Sequence, residues 1–168
     1  MADTAISDIP QLNRGRTFEE MPVGDIFRTA RRTVTEADLV SFVTWGGFNE
    51  PLFVDASHAG ESGYSGRLIP GAMIYSLAEG LVVQTNVLHG TGLAFMHMEL
   101  TINQPVYVGD TLYAIVETTG SRPSAKGQRG VVTSRVSVRN QRDEEVLVYT
   151  PVRLIRGKDF QIKTSSEG

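Results

Sequence analysis

The spacing of apolar residues changes from a helical to a strand-like period at about Gly92, and this change restricts the folds open to the chain. Before Gly92 the apolar residues recur three and four positions apart, as they do along one face of an α-helix. After Gly92 they alternate with polar residues, as they do in a strand with one buried face. A helical first half and a strand-rich second half predict an α+β domain in which a sheet packs against helices.

The helical half predicts two helices. The first begins at Thr35, because the T-x-x-D pattern of residues 35–38 places a hydroxyl and a carboxylate near the unpaired amides of a first turn. It ends at Gly46-Gly47, since glycine permits the backbone conformations that stop a helix. The second begins at Pro70-Gly71 and runs to about Leu88. Apolar residues cover more than half of its circumference and predict burial on more than one side: Met73, Ile74, Leu77, Ala78, Leu81, Val82 and Val83.

The strand-rich half predicts four strands, over residues 94–102, 106–119, 130–139 and 146–155. One face of the first is apolar, with Ala94, Met96, Met98, Leu100 and Ile102. Polar links at 121–128 and 140–144 are short, so that neighbouring strands should be antiparallel. A broken strand between Phe18 and Val34 brings the number to five or six. The predicted architecture is an antiparallel sheet wrapped around a long central α-helix.

Composition limits the chain to one ordinary domain. With 168 residues, 40% hydrophobic and 21% charged, it can bury a core without covalent staples. Its net charge of -3 and scattered basic residues argue against nucleic acid or membrane partners. Polar residues interrupt the apolar segment 72–88, and no signal sequence is evident, which predicts a cytoplasmic protein. We expect a flexible arm, one domain and a polar tail over residues 1–16, 17–156 and 157–168.

The residue types present exclude several kinds of chemistry. The sequence has no cysteine, which rules out disulfide frameworks, thiolate nucleophiles and cysteine-ligated metals. The three histidines, His58, His89 and His97, lie too far apart to show metal-ligand spacing. We therefore predict no metal site.

Four ordered segments together carry a resemblance to a known family. They are VTEAD at 34–38, GGFNEPLFVD at 46–55, GRLIPG at 66–71 and QPVYVGD at 104–110. In this order they resemble the MaoC-like dehydratases, which include (R)-specific enoyl-CoA hydratases, over about residues 17–156. The resemblance implies a single hotdog domain that acts on acyl thioesters, with the substrate carried by coenzyme A or an acyl carrier protein and no other cofactor.

The catalytic loop of that family departs from its pattern here. Family members carry G-D-x-N-P-x-H after the first helix, and the aspartate and histidine hold water and move protons. In this sequence Phe53 stands at the histidine position, and the aspartate position falls on Phe48 or Gly47 according to the alignment. The usual pair is therefore absent, and the resemblance implies a remodelled site.

The same loop offers two substitutes, Glu50 and Asn49. A carboxylate in an apolar cleft can have its pKa raised toward working pH, and the amide of Asn49 could orient water or a thioester carbonyl. Equally, Glu50 could be a solvated loop residue and Asn49 a turn residue. Asp55 matches an acidic position of the family and is expected to cap a short helix that begins near Ala56.

Gly71 is the candidate binding residue for the thioester. Its amide lies at the start of the long helix, where unpaired N–H groups could polarise a carbonyl as an oxyanion site does. Phe48, Pro51 and Phe53 are expected to line an apolar pocket beside it. Nonspecific phosphate contacts are expected from Arg67, Arg122, Lys126 and Arg129.

Three functions stay open at this stage. The first is an acyl-thioester hydratase or dehydratase with a remodelled site, and the second is a thioesterase that uses Glu50 to activate water. The third is a noncatalytic acyl-CoA-binding or assembly subunit, which the two phenylalanines favour because they make the pocket more apolar. The resemblance also implies a homodimer, or a higher even oligomer, paired edge to edge through its sheet.

Overall fold

A six-stranded antiparallel sheet packs around one long helix in the computed structural model, which describes residues 14–161. The strands are β1 (Ile26–Arg28), β2 (Arg32–Thr33), β3 (Gly92–Ile102), β4 (Thr111–Pro123), β5 (Arg129–Arg139) and β6 (Glu145–Arg156). Across the sheet the order is β1-β4-β5-β6-β3, and β2 pairs with the start of β4. The helices are α1 (Glu36–Gly46), α2 (Pro51–Val54), α3 (His58–Glu61) and α4 (Gly71–Gln84). The predicted α+β architecture is confirmed.

Helix α4 is the central helix, and it begins at Gly71 as predicted. Its buried side chains meet those of β4, β5 and β6 in one apolar core that includes Met73, Ile74, Ala78, Val82, Val136, Leu147 and Tyr149. The predicted end at Leu88 is wrong, because Thr85 closes the helix and Asn86 has a left-handed backbone with φ 61°. Val83 is exposed, so the burial predicted for this helix does not extend to every apolar residue.

Helix α1 has the ends that the sequence predicts. The Thr35 hydroxyl accepts a hydrogen bond from the Asp38 amide, and the Asp38 carboxylate accepts one from the Thr35 amide at 2.9 Å. Gly47 ends the helix in the left-handed conformation, with φ 69°. Hydrogen bonds from the amide and hydroxyl of Thr35 lower the pKa of Asp38.

The predicted strands differ from the observed ones near the amino terminus. Phe18–Glu20 forms a 3-10 helix, and only the short β1 and β2 follow, so the strand expected from Phe18 is wrong at its start. The second strand of the sheet-rich half begins at Thr111, five residues later than predicted. The Asp110 carboxylate accepts a hydrogen bond from the Tyr107 amide at 2.9 Å and thereby holds a turn ahead of β4.

Strand β3 is an edge strand and has only β6 as a partner among the described residues. The sequence predicts one apolar face for this strand, and within one copy much of that face is exposed, although Met98 packs against the core. Met96 and Ile102 are 57% and 51% exposed, and Phe95 and Leu100 are exposed as well. This exposure accompanies the position of β3 at the edge of the sheet.

Both ends of the described chain contact the domain. The Gly15 amide donates to the carbonyl of His89 at 2.9 Å, and the Gly157 amide donates to that of Gln128 at 2.8 Å. These ends are therefore part of the folded domain, where the sequence analysis assigned them to a flexible arm and a polar tail. The rest of the predicted arm and tail lies outside the described residues, at 1–13 and 162–168. No helix within residues 14–161 combines the length and apolar character that crossing a membrane requires.

Candidate functional site

A cleft of about 310 Å³ opens at the amino end of α4. Hydrogen bonding brings its walls together, since the Ile69 amide donates to the Val106 carbonyl at 2.8 Å and Leu68 pairs with Tyr107. The segments GRLIPG and QPVYVGD, which are distant in the sequence, therefore lie side by side. The residues that line the cleft are Leu52, Phe53, Tyr64, Leu68, Ile69, Gly71, Ile74, Ile102, Asn103, Gln104, Pro105 and Val106.

Gly71 lies in this cleft, as the sequence predicts. The Pro70 carbonyl accepts hydrogen bonds from the amides of Met73 and Ile74, at 2.9 and 3.0 Å. The amides of Gly71 and Ala72 have no acceptor within the part of the chain that the structure describes. Unpaired first-turn amides carry the positive end of the helix dipole, so a carbonyl or enolate oxygen placed there would be stabilised.

The last side chain of the edge strand approaches Gly71 closely. A β-carbon there would collide with Cδ1 of Ile102, the last residue of β3. The cleft is therefore bounded on one side by the end of β3, and this contact was not evident from the sequence. Its polar side chains are few: Tyr64, Asn103 and Gln104.

The loop after α1 does not bring its predicted catalytic residues into the cleft. Glu50 precedes α2, and its backbone carbonyl accepts from the Phe53 amide at 2.9 Å, while its side chain is exposed. Asn49 is exposed as well, and neither residue lines the cleft. The apolar surroundings that the sequence analysis considered for Glu50 are not found, because this residue is exposed.

Of the three predicted pocket residues, only Phe53 lines the cleft. Phe48 instead packs against the core, with its ring 5.3 Å from that of Phe42. Pro51 is exposed at the first position of α2. The prediction for Phe48 and Pro51 is corrected accordingly: the turn at Gly47 directs one ring inward to the core and leaves the proline at the surface.

Arg67 connects the loop to the first helix. Its Nε and Nη2 atoms donate to the Phe53 carbonyl at 3.1 and 2.9 Å, and its Nη1 atom donates to Glu36 in the first turn of α1. A guanidinium with these partners fixes α2 beside the cleft, and it is not free to bind phosphate as predicted. Arg122, Lys126 and Arg129 lie at the β4–β5 hairpin, at the end of the sheet away from Ile102.

Asp55 forms a turn and does not cap a helix at Ala56. Its carboxylate accepts from the Ser57 amide at 2.8 Å and from the Ser57 hydroxyl at 2.6 Å, and these bonds lower its pKa. Helix α3 begins later, at His58. Within residues 14–161, no group of three His, Asp or Glu side chains is arranged to hold a metal ion.

The sequence matches the family described as MaoC like domain over residues 18–140, which is well over half of the chain. The chain belongs to the MaoC-like domain family. Protein MaoC of Klebsiella aerogenes is 38% identical over 113 residues, which are 67% of this chain and 32% of that protein. This MaoC-like domain thus spans about a third of that relative's length. The (R)-specific enoyl-CoA hydratase of Aeromonas caviae is 29% identical over 104 residues, which are 62% of this chain and 75% of the enzyme.

Solved structures agree with this assignment. A MaoC-like dehydratase from Rhodospirillum rubrum superposes with a TM-score of 0.78 at 27% identity, covering 87% of this chain and all of that one. A Mycobacterium tuberculosis protein described as having a double hotdog fold superposes with a TM-score of 0.76 at 20% identity. The superposition covers 91% of this chain but only 48% of the Mycobacterium tuberculosis protein. The hotdog fold of this MaoC-like domain is therefore confirmed.

A buried polar cluster in this MaoC-like domain was missed by the sequence analysis. Glu79, in the middle of α4, accepts hydrogen bonds from Arg153 Nη2 on both carboxylate oxygens and from the Tyr149 hydroxyl, all at 2.7 Å. The Tyr75 ring stands edge-on to that of Tyr149 at 5.1 Å. Burial, with the negative charge of Glu79, raises the pKa of Tyr149, so that its hydroxyl stays protonated and donates. The sequence signal that could have found this cluster is the charged residue Glu79 within the apolar stripe of a helix.

Proposed function

We propose that this protein is an acyl-thioester hydratase or dehydratase with a remodelled active site. The observation that carries the proposal is the amide of Gly71, which has no acceptor among the described residues and belongs to a residue that lines an apolar cleft. Membership of the MaoC-like family supports it, as does similarity to an (R)-specific enoyl-CoA hydratase. Coenzyme A or an acyl carrier protein would carry the substrate. The cytoplasmic location stays a prediction from the sequence.

The cleft suits the first step of hydration. The thioester oxygen accepts hydrogen bonds at Gly71, and this withdraws electrons from C3 of an enoyl group, where water adds. The enolate oxygen that forms is held by the same amide. The acyl chain lies against the apolar walls, which include Leu52, Phe53 and Ile74. Phe53 cannot transfer a proton, and loss of a positioned acid or base costs about 10²- to 10⁴-fold in rate unless another group supplies it.

A second candidate is a noncatalytic thioester-binding subunit. The observation that favours it is the chemistry of the cleft, because no lining residue of one copy has a carboxylate or an imidazole. A thioesterase that uses Glu50 has less support, because the Glu50 side chain is exposed and outside the cleft.

We also propose that two copies pair through β3. An eleven-residue edge strand with exposed apolar side chains is a template for pairing with another strand. The double hotdog neighbour favours a second hotdog unit as the occupant, and for this chain a second copy provides one. Two identical strands can pair antiparallel about a two-fold axis, which makes the interface closed and self-complementary.

The test is an assay with two separate signals. Purified protein is incubated with crotonyl-CoA and with longer and branched acyl-CoAs, while enoyl absorbance and free thiol are both followed. We expect enoyl absorbance to fall without release of thiol. Thiol release would show hydrolysis and contradict the proposal, and binding without either signal would favour the noncatalytic candidate.

A further inference from the structure

The carboxylate of Glu79 lies in a cavity that the proposed function has not used. Glu79 lines an opening of about 300 Å³ beside the start of β3, together with Arg153, Leu88 and the residues of 92–95. The Glu79 side chain keeps 19% of its surface exposed, so it can still accept a hydrogen bond from water. Arg153 is 8% exposed, and its guanidinium stacks on the Phe95 ring at 5.2 Å.

Within one copy Glu79 cannot act on a thioester held at Gly71. The two residues are eight positions apart on one helix, which separates their backbones by about 12 Å along the axis. Their cavities also lie at opposite ends of β3. The Gly71 cleft contains Ile102, the last residue of the strand, and the Glu79 cavity contains Gly92, the first.

Antiparallel pairing of β3 with a second copy brings these two ends together. A two-fold axis across an eleven-residue strand places the first residues of one β3 beside the last residues of the other. The Glu79 cavity of one copy then adjoins the Gly71 cleft of its partner. Exposed apolar side chains occur at both ends, Phe95 at one and Ile102 at the other, which fits burial against a second copy.

We propose that each active site is shared between two copies: Gly71 of one copy holds the thioester carbonyl, and the partner's Glu79 is the acid–base group. The proposal rests on the proposed function and on pairing through β3. It explains how hydration can proceed when Phe53 replaces the family's histidine and Glu50 lies outside the cleft. Each dimer has two such sites.

One carboxylate is enough to accept and return the proton that moves during hydration. Water loses a proton to the partner's Glu79 as its oxygen bonds to C3, and the π electrons move onto the thioester oxygen at Gly71. The carboxylic acid then returns that proton to C2 as the carbonyl re-forms. The sum is addition of water across C2=C3, and Glu79 ends as the carboxylate with which it began. Dehydration is the reverse.

The surroundings of Glu79 fit this role. Arg153 compensates the charge of the carboxylate, and the Tyr149 hydroxyl fixes its orientation. The rings of Tyr75 and Phe95 also contact the cluster, and neither carries charge at neutral pH. Both oxygens of Glu79 are held by hydrogen bonds, so the carboxylate is positioned before substrate arrives.

The decisive experiment is complementation between two inactive variants, Gly71→Ala and Glu79→Gln. Each is expected to lose at least 10-fold in crotonyl-CoA hydration by itself, while Glu117→Gln, on an exposed carboxylate of β4, keeps wild-type activity. The two variants are then unfolded and refolded together in equal amounts. In a mixed dimer one shared site has both defects and the other has neither. Random pairing makes half of the dimers mixed, so activity should return to about a quarter of the wild-type value.

The outcomes distinguish failure of the shared site from failure of the proposed hydratase or dehydratase function. Recovery of activity near one quarter supports the shared site. If the refolded mixture consists of folded dimers and recovers no activity, the shared site is overturned, while the hydration activity of the wild type still supports the proposed function. Loss of activity in Glu50→Gln, with Glu79→Gln fully active, also overturns the shared site. Thiol release that is complemented by mixing contradicts hydration and supports the shared site. Glu79→Asp, which keeps the charge opposite Arg153 but draws the carboxylate back, replaces Glu79→Gln if the latter does not fold.

Discussion

At the scale of the residue, one glycine is central to the candidate site. Gly71 starts the central helix, opens on the cleft and leaves room for Ile102. The sequence predicts the first role from the helix start, because backbone chemistry is local. It could not predict the contact with Ile102, which depends on how the edge strand packs 31 residues later.

Gly71→Ala is expected to lower both stability and activity. Its β-carbon would overlap Cδ1 of Ile102, the end of a half-exposed side chain that can turn away, so the free energy of unfolding should fall by about 0.5 to 1.5 kcal/mol. Displacement of the helix start should also lower kcat/KM for crotonyl-CoA by at least about 10-fold. Denaturant unfolding and steady-state kinetics measure the two effects.

The matched control is Gly80→Ala on the same helix. A β-carbon at position 80 meets no atom within 4 Å, and alanine favours a helix by up to about 1 kcal/mol over glycine. It should therefore be neutral or stabilising. Ile102→Val removes the Cδ1 atom that collides, so it should partly restore Gly71→Ala. A double variant no better than the single one would contradict the contact.

The acidic residues show the limit of motif reasoning at the same scale. Glu50 was a candidate because it lies in the loop where the family resemblance implies a catalytic pair, but it is exposed. Glu79 looked like a polar interruption of an apolar helix, although Arg153 and Tyr149 hold it in the structure. The partners of Glu79 come from β6, some 70 residues later, so its environment cannot be read locally.

At the scale of the element, local chemistry accounts for what the sequence predicts well. The ends of α1, the start of α4 and the hairpin at 140–144 follow from capping and turn residues. The features that the sequence predicts poorly depend on long-range packing. Helix α4 ends four residues early, and the apolar face of β3 is exposed because the strand lies at the sheet edge.

The capping of α1 makes a prediction about acid stability. The pKa of Asp38 in the folded protein lies below its ordinary value of 3.8. The ionised carboxylate therefore stabilises the fold above about pH 4, and this contribution is lost as the pH falls through the lowered pKa. Asp38→Asn should cost about 0.5 to 1 kcal/mol at neutral pH, with a smaller difference from wild type below pH 4.

Chemical denaturation of both proteins at several pH values measures this difference. Asp159→Asn is the control, since Asp159 is exposed and has no hydrogen-bond partner within residues 14–161. Its stability should follow that of the wild type at every pH. A difference in unfolding free energy between Asp38→Asn and the wild type that stayed constant down to pH 2 would contradict the lowered pKa of Asp38.

At the scale of the whole molecule, the exposed edge strand β3 favours pairing with a second copy. Phe95, Met96, Leu100 and Ile102 line one strand, and Val83 of α4 is exposed as well. Such a surface favours a stable partner, because an unpaired apolar edge otherwise promotes aggregation. In our account the partner also completes the active site, so that activity requires pairing.

Met96→Glu should convert the proposed dimer to monomers and lower the rate of hydration as well. It places a charge on the apolar edge of each copy, and the two charges approach one another across the two-fold axis. Sedimentation velocity measures the mass, and the hydration assay is run at the same concentrations. Val23→Glu, in an exposed turn away from β3, should leave both unchanged. A wild type that is monomeric yet fully active would contradict the shared site.

The central claim is that the amide of Gly71 polarises a thioester carbonyl, and isotope-edited infrared spectroscopy measures this directly. Crotonyl-CoA labelled with ¹³C at the thioester carbonyl is bound to Glu79→Gln, which should bind the substrate without converting it quickly. Hydrogen bonding at the helix end should shift the labelled band to lower frequency than in solution, and Gly71→Ala should reduce that shift. A bound thioester whose band stays at the solution frequency would contradict the account.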